Sequence, residues 1–260
     1  NNCHRDQEMI IGLDGRSIEK EKITGLGEYT KNLLWGLSLA GIKCNVYCTE
    51  KPKKIKVPKN IEIKILKSKN KYLFEQICLP QELLKNPPDI YHATNSSGIP
   101  FLYKKPSVLT IHDIIPITRK KYFKNSKLPL FSKKFFVLNT KNSISRAKKI
   151  ISISKTTKKI LIKNFNVKDN KIKVIYPGVD VPTKLDFKII KRLKLENESF
   201  VLNNGGIDER KNLKKLIESF IFVKRAYPKL KLIITGEGNS YQKKLKRIVK
   251  CLKLEKSIIF

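Results

Sequence analysis

The chain has 260 residues, 40% hydrophobic and 8% aromatic, enough for one large domain or two modest ones with their own cores. This composition excludes disordered and fibrous classes, and no apolar run approaches the ~18 residues needed to cross a bilayer. The formal net charge of +34 invites a polyanion, but 48 of the 56 basic residues are Lys, scattered along an Ile- and Asn-rich chain.

Met9, the single methionine, precedes the strand-like run Ile10-Ile11-Gly12-Leu13. It reads as the start, with residues 1–8, Cys3 and His4 among them, carrying no chemistry. Apolar strands are predicted at 9–13, 44–48, 61–66, 89–93, 107–111, 149–153 and 172–176. Helical patterns lie between several of them. Tyr29, Leu33, Leu34 and Leu37 follow Gly27 at helical spacing, and Ile160, Leu161 and Phe165 follow Ser154, a good N-cap residue. Short apolar strands alternating with helices predict an α/β fold with a mostly parallel, doubly wound sheet.

Pro177 and Gly178 end this unit, and 177–187 reads as a linker. A second unit opens with a strand at 200–204, then Gly205-Gly206. Its helix carries the stripe Leu213, Leu216, Ile217, Phe220 and Ile221. A strand at 230–235, a helix from about 240 to 252 and a strand from Ser257 complete it. The domains are therefore expected at 9–180 and 181–260. Three strands in the second fall short of the ~100–150 residues of a doubly wound domain, so it is expected to be incomplete.

Three constellations carry candidate chemistry. Thr24-Gly25-Leu26-Gly27-Glu28-Tyr29 places Gly25 and Gly27 at a helix start, where backbone amides can approach an anion. It is not the dinucleotide fingerprint, and a plain βα turn is the alternative. His112 and Asp113 follow a predicted strand at the sheet edge where open α/β folds bind ligands, and a strand-end His held by a backbone carbonyl is the alternative. His92 ends another strand and is the weaker candidate. Gly205-Gly206-Ile207-Asp208-Glu209-Arg210-Lys211-Asn212 runs from strand to helix, with Asn212 as the expected cap. Gly206, Arg210, Lys211 and the helix start suit a diphosphate, against a merely solvated basic turn.

The five cysteines form no metal pattern, and an odd number of them in a chain without a signal-peptide pattern reads as buried thiols in a cytoplasmic protein. Three readings of the charge stay open: genomic bias toward Lys, attraction to an anionic membrane, and nucleic-acid binding. The last would make the chain a polyanion- or nucleic-acid-binding module. No RRM, KH, zinc or helix-turn-helix signature supports that, so no nucleic-acid partner is expected. Between Arg119 and Lys141 eight basic and no acidic residues interleave with Tyr122, Phe123, Leu128, Leu130, Phe131, Phe135 and Phe136. Such a stretch suits an anionic membrane surface, or else packs its Phe residues into the first domain.

In order and spacing these segments resemble glycosyltransferase family 4, from about Met9 to Phe260. The resemblance includes Gly12-Leu13-Asp14-Gly15-Arg16, the Gly25 to Thr30 segment, Ser107 to Pro116, Ile151 to Lys155, Val174 to Asp180, Gly205 to Leu213 and Leu232 to Gly238. It implies a GT-B fold of two Rossmann-like doubly wound domains, the second incomplete. It further implies retaining transfer of a hexose from a nucleotide-sugar, GDP-mannose being the expected donor, to a glycan or lipid-linked acceptor in cell-surface polysaccharide synthesis. No cofactor or metal is implied. Arg210 and Lys211 would hold the donor diphosphate, Gly25 and Gly27 would belong to the first domain's glycine loop, and His112 with Asp113 would stand at the transferred sugar. A sugar-nucleotide epimerase of the same fold is the alternative enzyme. A family motif of two Glu separated by seven residues is absent up to Phe260, so this chain alone is expected to be inactive. The protein is expected in the cytoplasm, peripheral on the inner face of the cell membrane through 119–141.

Overall fold

A computed structural model of the chain describes residues 9–21, 23–118, 129–179, 186–238 and 240–260. The chain divides after residue 180 into two compact units. In the first, strands β1 (Ile10–Asp14), β2 (Lys43–Cys48), β3 (Ile61–Ile65), β4 (Ile90–Ala93), β5 (Ser107–Ile111), β6 (Lys149–Ser152) and β7 (Ile172–Val174) form one sheet. Its order is β3-β2-β1-β4-β5-β6-β7, with every pairing parallel. Leu13, Val46, Tyr91, Leu109, Ile111 and Ile150 are wholly buried, as near-continuous apolar strands covered on both faces require.

The chain first steps outward from β1 to β3, then returns to the other side of β1 at β4. The carboxyl ends of β1, β4 and β5 therefore frame a topological switch point, where such sheets leave a crevice. Helix α1 (Gly25–Leu39) packs beside it. Its end is a Schellman closure: Gly41 takes φ +74°, Ile42 N–H reaches the Leu37 carbonyl at 3.0 Å and Gly41 N–H the Ser38 carbonyl at 3.0 Å. After β3 come α2 (Lys71–Leu73), a π turn (Phe74–Cys78) and α3 (Leu79–Lys85). A short α4 (Ile115–Thr118) follows β5, and α5 (Leu130–Arg146) precedes β6. In α6 (Lys155–Phe165) the expected cap forms, with Thr157 N–H donating to Ser154 Oγ at 3.1 Å.

The second unit comprises α7 (Lys188–Arg192), β8 (Phe200–Asn203), α8 (Leu213–Ala226), β9 (Lys231–Ile234), α9 (Ser240–Cys251) and β10 (Ile258–Ile259). Its parallel sheet has the order β10-β9-β8. Leu213, Ile217 and Phe220 of the predicted stripe are buried, and Leu216 and Ile221 pack against them.

Four expectations need correction or bounds. Helix α7 follows directly on the proposed linker, of which 180–185 lie outside the described residues, as do 119–128 of the basic-aromatic stretch. Asn212 does precede α8, but its side chain makes no capping bond. It takes the left-handed conformation (φ 54°, ψ 36°), which Asn tolerates better than most residues. Asp208 caps instead, accepting the Arg210 N–H at 2.8 Å to start a 3₁₀ turn. Cys44 and Cys48 are buried thiols, whereas Cys78 is half-buried and Cys251 exposed, because the Cys251 side of α9 faces away from the core.

Candidate functional site

A cleft of about 620 Å³ opens in the first unit at the switch point. Gly25, Glu28 and Tyr29 from α1, Asn95 and Ser96 after β4, and His112 and Asp113 after β5 line it, with Phe136 from α5 and Pro177-Gly178 beyond β7. His112, Asp113 and Gly25, taken from separate constellations of the sequence, thus lie at one cleft.

His112 donates Nε2–H to the Thr94 carbonyl at 3.0 Å, since a carbonyl can only accept. The lone pair of the neutral ring then sits on Nδ1, a hydrogen-bond acceptor. Burial lowers the His112 pKa and favours that neutral form, against the Thr94 bond and the Asp113 charge. The Tyr29 ring meets the imidazole edge-on, with centroids 4.7 Å apart. Asp113 is exposed, and its Oδ1 accepts the Ile115 N–H at 3.3 Å, starting α4.

The two glycines of α1 play different parts. A Cβ on Gly25 would meet nothing within 4 Å, so its place at the cleft leaves the backbone open to a ligand. A Cβ on Gly27 would lie 2.5 Å from the Ser17 carbonyl oxygen and 2.6 Å from Ile23 Cγ2. Gly27 is buried packing for the turn at Arg16–Ile18, and both glycines belong to the first turn of a helix rather than to a loop.

Beneath the cleft lies a network with no separate signal in the chain beyond the Asp14-Gly15-Arg16 run. Arg16 grips Asp14 through Nε–Oδ1 at 3.0 Å and Nη2–Oδ2 at 2.6 Å, and reaches Glu75 Oε1 at 3.0 Å. Asp14 Oδ2 also accepts from Asn95 Nδ2 at 2.8 Å, and Asn95 Oδ1 accepts the Ser97 N–H at 3.1 Å. Burial pushes the Asp14 carboxyl up, but the two-point Arg16 contact outweighs it and holds the pKa below its usual value. For Glu75 burial prevails over the single Arg16 bond, and its pKa is raised. His92, the weaker candidate, is buried: its Nε2 meets Thr110 Oγ1 at 2.8 Å, and burial followed by His112 lowers its pKa to about 4. It is a structural, neutral imidazole behind the cleft wall.

In the second unit Gly205 (φ +155°) and Gly206 lead from β8 to the turn bearing Arg210 and Lys211. Arg210 is paired with Asp208, with Nη2–Oδ2 at 3.0 Å, and both are exposed. A Cβ on Gly206 would meet nothing within 4 Å. Gly236 (φ +147°) backs the loop, where a Cβ would lie 2.8 Å from Ile207 N. Among the described residues no group of three or more His, Cys, Asp or Glu could hold a metal.

The family model described as Glycosyltransferase Family 4 matches residues 23–182. The chain is 32% identical over 168 residues to the O-antigen chain mannosyltransferase RfbU of Salmonella typhimurium strain LT2, covering 64% of this chain and 42% of the relative. It thus spans about two fifths of the length of that curated relative. Among solved structures it is similar to Anabaena Alr3699/HepE in complex with UDP-glucose (TM-score 0.65, 16% identity, 97% of this chain, 68% of that one). It is likewise similar to WaaG, a glycosyltransferase involved in lipopolysaccharide biosynthesis (0.64, 14%, 97% and 69%). A putative UDP-N-acetylglucosamine 2-epimerase from Listeria monocytogenes shares the fold at 0.57 and 13% identity, over 97% of this chain and 68% of that one.

Proposed function

The chain belongs to glycosyltransferase family 4 and has the GT-B fold, and on that premise we propose that it serves transfer of a hexose from a nucleotide-sugar to a glycan or lipid-linked acceptor in cell-surface polysaccharide synthesis. The observation that carries the reading is the cleft at the switch point, where His112, Asp113 and the open backbone at Gly25 converge. A neutral His112 with its acceptor nitrogen on Nδ1 suits a sugar hydroxyl. The Arg210, Lys211 and Gly206 turn suits the donor diphosphate, whose charge grows as it leaves. The transfer is retaining: the acceptor attacks on the face the leaving phosphate vacates, and that phosphate takes the proton. Such a path needs no pair of catalytic carboxylates and no metal. The sequence likeness to a mannosyltransferase favours GDP-mannose as donor.

Helix α5 supports work at the inner face of the cell membrane. Its buried side mixes Asn139, which donates to the Ser97 carbonyl at 2.7 Å, and Ser143, whose Oγ accepts the Ile99 N–H at 3.1 Å, with the core residue Ile144, and its Phe135 packs on Tyr72 and Phe101. Its outer side shows Leu130, Phe131 and Leu138 at 66, 67 and 58% exposure. Apolar side chains turned outward among lysines match an anionic lipid surface.

Calorimetry of the full chain with GDP-mannose tests the diphosphate assignment. Binding should weaken at least about tenfold on Arg210→Ala with Lys211→Ala, roughly the loss of one charge-assisted contact. Binding indifferent to both changes would remove that site. Wherever turnover is seen, hexose label recovered in a glycan or lipid product supports transfer, and label in an epimerised nucleotide-sugar supports the epimerase instead.

A further inference from the structure

Behind His112 the hydroxyl of Thr110 joins two elements. Thr110 is wholly buried in β5, and its Oγ1 lies 2.8 Å from His92 Nε2 and 3.0 Å from Tyr29 Oη. A threonine hydroxyl has one proton to give and two lone pairs to accept with, so it can hold both partners at once while donating to at most one of them. Thr110 is the penultimate residue of β5 and His112 the first residue after it. Tyr29 comes from α1, bonds the Thr110 hydroxyl and sets its ring against His112. The Thr94 carbonyl, at the end of β4, holds the other side of the imidazole.

We infer that Tyr29 is a positioning residue for His112, a strut tethered at its hydroxyl by Thr110 that fixes the ring with Nε2–H on the Thr94 carbonyl. The role rests on the proposed place of His112 at the transferred sugar, but the geometry it predicts is measurable without turnover. A ring held this way keeps one tautomer, since rotation would cost both the Thr94 bond and the edge contact with Tyr29. Removing the strut lets water reach the imidazole. The ionisable groups around it are Asp113 beside it, His92 behind Thr110, and Glu28 and Tyr29 of α1.

The chain has three histidines, so long-range 1H–15N spectra of the full chain resolve His112 once His112→Gln assigns it. The native protein should show the Nε2–H tautomer and a pKa below the ordinary value of about 6.5. Tyr29→Phe and Thr110→Val should mix the tautomers and move the pKa up toward that value, Tyr29→Ala furthest, and Thr110→Ser should restore the native signature. An unchanged tautomer and pKa in Tyr29→Ala with native circular dichroism would overturn the inference. Should Tyr29→Ala unfold, the near-isosteric Thr110→Val, set against Thr110→Ser, decides alone. A His112 that responds as stated in a chain whose GDP-mannose binding ignores Arg210→Ala with Lys211→Ala removes the diphosphate assignment and leaves the strut standing. One indifferent to Tyr29 in a chain whose binding those changes weaken does the reverse.

Discussion

Single side chains at the cleft divide into those facing a ligand and those holding the wall, and substitution separates them. Gly27→Ala drives a methyl into the Ser17 carbonyl and should cost about 1–3 kcal/mol, an overpacking penalty. Gly25→Ala meets open space and should leave stability unchanged or raise it by up to about 1 kcal/mol through the unfolded state. Urea titration of both checks the contrast, and equal losses would refute it. His92 supplies a pH dependence. Its folded pKa of about 4 lies below an unfolded value near 6.5. The unfolded state therefore binds the extra proton in that window, and stability present above pH 6.5 is lost as pH falls toward 4. His92→Asn should flatten this fall in urea midpoint between pH 7 and 4.5; an equal fall in the variant would show that other groups cause it.

At the level of elements, one ion cluster ties β1 to the π turn. Arg16 sits 4.5 Å above the Phe74 ring while bonding Asp14 and Glu75, whose side chains are 1% and 2% exposed. Arg16→Met would leave Asp14 buried without its counterion and should destabilise by about 3–5 kcal/mol, read as a shift in denaturation midpoint. Asp14→Asn in that background should recover part of the loss. Helix α5 is the element whose sequence misleads most. Its Phe and Leu residues suggest a core-facing stripe, yet Asn139, Thr140 and Ser143 take much of the inside beside Ile144, and of the Phe residues it is Phe135 that packs on Tyr72 and Phe101. The Ser97 and Ile99 backbone groups need hydrogen-bond partners there, and those only polar side chains provide.

For the molecule as a whole, a charge of +34 and the outward apolar side of α5 make a joint claim about surfaces. Among the described residues no helix is long and apolar enough to cross a membrane. Vesicles containing phosphatidylglycerol should bind the chain, and binding should weaken as salt shortens the Debye length from ~30 Å at 0.01 M to ~10 Å at 0.1 M. Lys133→Glu with Lys134→Glu should lower partitioning at least about tenfold, at ~1 kcal/mol per lost basic residue before repulsion is added. Flotation unmoved by this reversal would end the membrane proposal and leave the excess of lysine as ordinary solvated surface.

The alternation of strand and helix, the parallel class of the sheet and the nomination of His112 and Asp113 were legible in the chain alone, because periodicity and strand ends are local properties. Even the strand bounds differ by only a residue or two, as at 172–176 against Ile172–Val174. Which side chains meet became visible in the folded chain. Tyr29 and Thr110 are 81 residues apart, Arg16 and Glu75 are 59 apart, and each pair is joined by where β1, β4 and β5 fall in the sheet order. Periodicity carries no information about that order. Hence His92 looked like a second site residue until its partner proved to be a buried threonine, and Gly27 looked like a ligand glycine until the Ser17 carbonyl filled the space beside it.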